Sequence, residues 1–187
     1  MTDRIFQGFL ESALADASRI NAESDVARIV PAPDSGNPPR IYHGRLREVE
    51  HYERCPDGTF RVSDRDVAFR IEFPADYCRS VDFNLQLRVV QCDPRIVHPN
   101  IKGGMVCLGN GFKPSTRIRG LVQHFYQILS SRVVATENAF DAEAARFYLK
   151  KHAEIQSLQA KPLWRRPVAA RIQVREIDQT QVQRGDT

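Results

Sequence analysis

The sequence predicts one α+β domain: an N-terminal helix, a four-stranded antiparallel meander, a cysteine-bearing loop, a central helix and a C-terminal helix. Apolar residues recur at helical spacing in three stretches, over residues 3–21, over 114–129 and from Asp141 onward. They alternate at a strand's period of two along Val67, Phe69, Ile71 and Phe73, and again along Phe83, Leu85, Leu87 and Val89. Between these stretches fall prolines and glycines that interrupt regular structure. The chain has 187 residues, 42% of them hydrophobic, which is enough to bury a sizeable core. The domain is placed at residues 1–160, with an extension of unassigned role at 161–187.

The first helix carries Ile5, Phe6, Phe9, Leu10, Ala13, Leu14 and Ala17 on its inner stripe. Asp3 falls in its first turn, where a carboxylate meets the positive end of the helix dipole. Arg4, Gln7, Glu11 and Arg19 fall on the polar face, which spacing alone reads as solvated. Val26, Ile29 and Val30 mark a short strand closed by the proline-dense PAPDSGNPP, and a mixed stretch from Ile41 to Tyr52 follows. Cys55 to Gly58, CPDG, fits a tight turn between antiparallel strands. Pro74 ends the strand that begins at Val67. Pro114 with Ser115 or Thr116 opens the central helix, whose inner face is Ile118, Leu121, Val122, Phe125, Ile128 and Leu129. The last helix puts Ala145, Tyr148, Leu149, His152 and Ile155 inward. Beyond it, Trp164 sits between prolines, and Ile172, Val174 and Ile177 alternate loosely, as an edge strand or a mobile tail would.

Composition narrows the function. No apolar run approaches the roughly 18 residues that span a bilayer, and the opening MTDRIFQGFLESALAD carries acids unlike a secretory signal. A soluble cytoplasmic protein without a membrane partner is expected. Cys55, Cys78, Cys92 and Cys107 lie far apart with no CxxC pair, so neither a metal site nor a cofactor is expected, and the thiols should be reduced. The formal charge of +4 is spread over scattered basic residues, which does not point to nucleic acid.

The chemistry concentrates in His98 to Leu108, HPNIKGGMVCL. Pro99 removes a backbone donor, while Gly103 and Gly104 permit angles that other residues resist, so a bent, exposed connection is expected rather than a strand. Met105, Val106 and Leu108 give Cys107 apolar neighbours, leaving a thiol held in place with its sulfur reachable. Asn100 has amide donors that can stabilise an oxyanion or tie down the loop. His98 reads as a structural hydrogen-bonding residue, and His124 and His152 as helix-surface or satisfied histidines.

The spacing of His98, Pro99 and Asn100 ahead of Gly104, Cys107 and Leu108 resembles the active-site segment of ubiquitin-conjugating (E2) enzymes. Phe73, Pro74 and Tyr77 resemble the family's Phe-Pro-x-x-Tyr. Phe112, Lys113, Pro114 and Ser115 stand where it has a Trp-x-Pro loop, and Asn138 to Asp141 resemble the opening of its next helix. The likeness covers residues 3–155 and implies the UBC fold. It departs in a loop before Cys107 that is one residue shorter, in Cys78-Arg79-Ser80 where many members have Pro-Phe-Lys, in Phe112 for Trp, and in Asn138 where many carry an acid. Such divergence resembles bacterial E2-like proteins encoded beside E1-like, ubiquitin-like and deconjugating proteins in antiphage defence operons.

The resemblance implies that Cys107 accepts the carboxyl of a ubiquitin-like modifier from an E1-like enzyme as a thioester and passes it to an amine of a target protein. It makes Asn138, Glu137 and Lys102 candidates for orienting that amine. Arg4, Gln7, Arg79, Phe112, Pro114 and Ser115 become candidate E1 or ligase contacts, and the need for a ligase stays open. Two other activities remain compatible with the residues. One is a non-catalytic UBC-fold module that binds a ubiquitin-like partner. The other is a Cys-His hydrolase, which needs an imidazole from His98 or His124 within hydrogen-bonding reach of the sulfur.

Overall fold

The computed structural model describes residues 3–79, 87–109, 112, 113 and 115–165. Of the residues singled out above, Ser80, Phe83, Leu85, Pro114 and the tail from Arg166 onward lie outside them. In chain order the elements are α1 (Arg4–Glu23), β1 (Ala27–Pro31), β2 (Ile41–Leu46), β3 (His51–Arg54), β4 (Phe60–Ser63), β5 (Val67–Glu72) and β6 (Val90–Cys92). There follow β7 (Ile96–Val97), β8 (Ile101–Lys102), β9 (Met105–Val106), α2 (Ile118–Leu129), α3 (Ala142–Lys150) and α4 (His152–Gln156). The fold is mixed α+β, an N-terminal helix on an antiparallel sheet. Among the described residues no helix is long and apolar enough to cross a membrane.

Helix α1 starts because the Asp3 side chain accepts a hydrogen bond from the Ile5 amide at 3.0 Å, so Asp3 is its N-cap rather than a first-turn residue. Phe6, Leu10, Ala13, Ala17 and Ile20 form the buried stripe. Ile5, expected on that stripe, is 68% exposed, because it lies about 100° round the helix from Phe6. Leu14 is exposed as well. Asp16 is buried instead, with Arg117 Nε 3.0 Å from its carboxylate. The helix ends against Arg28, whose guanidinium donates to the carbonyls of Asn21, Ser24 and Ala27 and satisfies acceptors that a helix C-terminus leaves open.

Among the described residues the strands form a six-stranded sheet in the order β1-β2-β5-β6-β9-β8 and a three-stranded sheet in the order β4-β3-β7. Four antiparallel neighbours, β1, β2, β5 and β6, do follow one another. The β3–β4 hairpin, however, leaves that run and joins the second sheet through Tyr52↔Val97 and Glu53↔Ile96. Its turn closes with the Cys55 amide on Thr59 O at 2.8 Å and with Gly58 at φ 82°. Of the strand expected over 83–89, residues 83–86 lie outside the described residues and 87–89 are helical; β6 pairs Val90 with Ile71 and Cys92 with Phe69.

Helix α2 lies under the large sheet, with Phe125 5.2 Å from Phe69 between ring centres. It begins at Ile118, later than its expected start at Pro114 to Thr116. Ser115 has φ 62°, outside helical space, and the Thr116 hydroxyl is spent on Lys113 N and O at 3.1 and 2.6 Å. The buried Tyr77 hydroxyl donates to Thr116 O at 2.7 Å and holds this approach in place. At the C-terminal end, Asp141 caps α3 through Glu143 N and Ala144 N. The chain breaks at Lys151 (φ −109°, ψ 21°), so α3 and α4 are separate. Tyr148 and Ile155 point inward as expected; Leu149, at 63% exposed, and His152 do not, because that break and the helix rotation turn them to solvent.

Residues 157–165, which follow α4, are stitched to the domain. Leu163 is buried, and Trp164 packs on the core with its indole N–H on Gln123 and the Arg119 guanidinium 4.1 Å from its ring centre. Arg165 pairs with Asp25.

Candidate functional site

Strand β7 belongs to the small sheet and β8 to the large one, so His98, Pro99 and Asn100 span the junction between the two. Each residue is tied down there. His98 is 1% exposed; its Nδ1 accepts from the Asn100 amide at 3.0 Å, which leaves the proton on Nε2. That Nε2 has no partner among the described residues, and burial pushes the imidazole pKa down to about 3. Its ring lies edge-on to Tyr148 at 5.0 Å. The Pro99 carbonyl accepts from the Asp141 amide at 3.0 Å, fixing the start of α3 against the tripeptide.

Asn100 makes three further bonds from a position 4% exposed. Its carbonyl accepts from the Cys107 amide at 2.7 Å, its Nδ2 donates to the Cys107 carbonyl at 3.3 Å, and its Oδ1 accepts from the Ala135 amide at 3.1 Å. One side chain therefore binds the cysteine to the segment facing it, 35 residues further from Asn100. A second proton remains on Nδ2 for another acceptor.

The expected open loop between Asn100 and Cys107 is a tight hairpin. β8 and β9 pair as Ile101↔Val106 and Lys102↔Met105, and Gly103 and Gly104 make the turn at φ 58° and 83°. Two consecutive positive φ values are what a two-residue hairpin turn demands, so the glycines here specify a strand pair rather than a loose connection. Gly104 has a further constraint, since a Cβ there would lie 2.6 Å from the Cys92 carbonyl oxygen. The hairpin delivers Cys107 half-buried between fully buried Val106 and Leu108; Met105, expected among its apolar neighbours, is 40% exposed because it alternates to the outer face.

Cys107 opens on a cleft of about 760 Å³, lined by Asn100, Cys107 and Gly109 and by residues 134–140. Glu137 and Asn138 both line it and are exposed. Glu137 is the charged lining residue among those described. Lys102 is exposed on the hairpin and is not among the described lining residues. Of the two candidate imidazoles, His98 accepts at Nδ1 from the Asn100 amide and His124 Nε2 donates to the Leu108 carbonyl at 2.7 Å. None of the remaining thiols is among the residues that line this cleft. Cys55 is a turn residue, burial and then the Asp3 carboxylate raise the Cys78 pKa, and burial with Asp93 pushes Cys92 up to about 12. Among the described residues no cluster of His, Cys, Asp or Glu could hold a metal ion.

The other expected contact residues are scattered. Arg4 is exposed at the start of α1, and Gln7 donates its amide to Asp3 O at 2.9 Å. Arg79 pairs with Asp3 at 2.8 Å, which its sequence position does not announce. Phe112 is buried, 5.8 Å from the Tyr77 ring, so it supports the core instead of offering a contact surface. Ser115 is exposed. Sequence reasoning missed Ala135, which acts through its amide and leaves no side-chain signal. It also missed Gly109, whose φ of 67° a glycine after Cys-Leu could have flagged.

No protein-family model matches the chain, and no curated protein matches it. Among solved structures it is similar to the E2 domain of a Toxoplasma gondii ubiquitin-conjugating enzyme, at 19% identity and a TM-score of 0.49, over 80% of this chain and 90% of that one.

Proposed function

We propose that the chain is an E2-type conjugating enzyme of the UBC fold, in which Cys107 carries a ubiquitin-like modifier as a thioester between an E1-like enzyme and an amine on a target protein. One observation carries the reading: a half-buried cysteine opens on a cleft, held by two hydrogen bonds to an asparagine that follows a buried His-Pro and that binds the facing Ala135 amide with a third. The Cys107 thiolate attacks the carbonyl of the E1 thioester, and the tetrahedral oxyanion collapses with loss of the E1 thiolate. A target amine then attacks the new thioester, gives up a proton, and releases Cys107 as the thiolate.

The surroundings favour transfer over hydrolysis. A strong base beside the sulfur would activate water, and neither His98 nor His124 is among the residues that line the cleft; His98 accepts from the Asn100 amide and His124 donates to the Leu108 carbonyl. That arrangement also weighs against a Cys-His hydrolase. Asn100 serves first as the clamp between the cysteine and the 134–138 segment, and its free Nδ2 proton is the candidate oxyanion donor. Glu137 and Asn138 receive the amine, the carboxylate attracting an incoming ammonium. Lys102, outside the cleft lining, is the weaker candidate for that task. Arg4, Gln7 and Arg79 cluster about the start of α1 as the E1 or ligase contact. On the same resemblance we place the protein in the cytoplasm of a bacterium, in a defence pathway with its own E1-like enzyme and modifier.

The test is discharge. After charging with an E1-like enzyme, ATP and modifier, free lysine should consume the adduct, and Glu137→Ala with Asn138→Ala should slow that consumption while leaving charging intact. An adduct that lysine leaves untouched, but that water removes at the same rate with or without lysine, would contradict transferase activity.

A further inference from the structure

We propose that the solvent face of the six-stranded sheet is a docking groove for an extended acidic segment of a partner protein. The proposal rests on nothing in the reading of Cys107. A groove of about 810 Å³ crosses this face and is lined by Arg28, His43, Arg45, Arg47, Arg70 and Arg95. In the sequence these residues are scattered; the β1-β2-β5-β6 pairing collects them.

The charge is only partly matched. Arg45 and Arg47 share one carboxylate, Asp66, at the long distances of 3.5 and 3.6 Å, and both side chains are about half exposed. Arg70 meets Glu72 at 2.9 Å, Arg95 meets Asp93 at 3.0 Å, and Arg28 is held by neutral carbonyls. Five guanidinium groups thus face the three carboxylates of Asp66, Glu72 and Asp93, an excess of two positive charges before His43 is counted.

The geometry favours an extended polypeptide. His43, Arg45 and Arg47 recur at every second residue along and just past β2, as Ala68 and Arg70 do on β5. Side chains on one face of an extended partner recur at the same spacing, so alternating acids can each meet a guanidinium fork in the two-bonded manner arginine prefers. Val30, 56% exposed, and Ala68 give small residues between those acids an apolar floor. Phe69, the lining residue with a phenyl ring, is buried toward Phe125, so beside the His43 imidazole the lining offers no Phe, Tyr or Trp ring on which nucleic-acid bases could stack. The chain's own tail is no complement, since Arg166, Arg171, Arg175 and Arg184 outnumber Glu176, Asp178 and Asp186.

The test is fluorescence anisotropy of the full chain with a labelled peptide of alternating Glu and Ala, set against a Lys-Ala peptide and oligothymidylate. The Glu-Ala peptide should bind saturably and more weakly as salt rises. Arg45→Glu with Arg47→Glu should lower its affinity on the order of tenfold. Arg61→Glu, on β4 of the other sheet, should leave it unchanged. If the double variant melts early, Arg70→Gln supplies the comparison. Equal binding of the Lys-Ala peptide, tighter binding of oligothymidylate, or no response to the groove substitutions would overturn the proposal.

Discussion

Replacing Asn100 by alanine removes a side chain that joins Cys107 to the opposite wall of the cleft. Two bonds are lost, Nδ2 to the Cys107 carbonyl at 3.3 Å and Oδ1 to the Ala135 amide at 3.1 Å, from a side chain that is almost fully enclosed. Each is worth about 0.5–1.5 kcal/mol net, and a donor left unpaired away from water costs about 1–3 kcal/mol. The bond at 3.3 Å is long and water can reach the cleft, so the sum falls to roughly 2–3 kcal/mol. For a chain of this size that lowers the melting temperature by about 4–12 °C. Trp164, the single tryptophan, is half-buried against Gln123 and Arg119, so its fluorescence follows urea unfolding directly. Asn100→Asp separates the two bonds: one oxygen keeps the Ala135 amide while the other faces the Cys107 carbonyl as a charge, so the loss should ease as acid protonates the carboxyl. If Asn100→Ala costs under about 0.5 kcal/mol, the clamp contributes nothing and Asn100 is better described as an oxyanion donor alone.

The two hairpin glycines should respond differently. Gly104→Ala places a Cβ 2.6 Å from the Cys92 carbonyl at a positive φ and should cost about 3 kcal/mol or more, whereas Gly103→Ala, with nothing within 4 Å, should cost only about 1 kcal/mol in urea titrations. His98 links stability to pH. It stays neutral when folded down to about pH 3, while an unfolded histidine titrates near pH 6.5. Between those values the unfolded chain binds the extra proton, so stability is full above about pH 6.5 and falls by up to about 1.4 kcal/mol per unit as pH drops. Urea midpoints measured across that range should show this slope in the native protein and a flatter one in His98→Gln. Trp164→Ala should destabilise by about 1–3 kcal/mol through lost burial and its contact with Arg119, read by circular dichroism because the fluorophore is gone.

Elements whose order depends on local periodicity were legible in the sequence. The α1 stripe from Phe6 to Ala17 and the α2 face from Ile118 to Leu129 stand where helical spacing puts them, and the β5 alternation is observed from Val67 to Ile71. What escaped depends on distant partners. Asp16 is buried because Arg117 reaches it from a segment a hundred residues away, and a charged residue on a helix otherwise reads as solvated. Gly103 and Gly104 permit a bent connection of many kinds, and only their pairing across β8 and β9 makes the two in succession a hairpin turn. The strand register after Val89 is chosen by Phe69 and Ile71 across the sheet. At the site, the proximity of Asn100 and Cys107 was legible because one hairpin joins them. The wall at 134–140 was legible only through the resemblance at Asn138 to Asp141, since its key contact is a backbone amide.

The central claim is that Cys107, and not Cys55, Cys78 or Cys92, forms a thioester with a modifier. Intact-mass measurement after incubation with an E1-like enzyme, ATP and a ubiquitin-like modifier tests it most directly. The predicted result is a gain of one modifier less one water, removed by a thiol reductant, absent in Cys107→Ala and converted to a reductant-stable ester in Cys107→Ser. An adduct that survives in Cys107→Ala, or none at all from an E1 that charges its own cysteine, would contradict it.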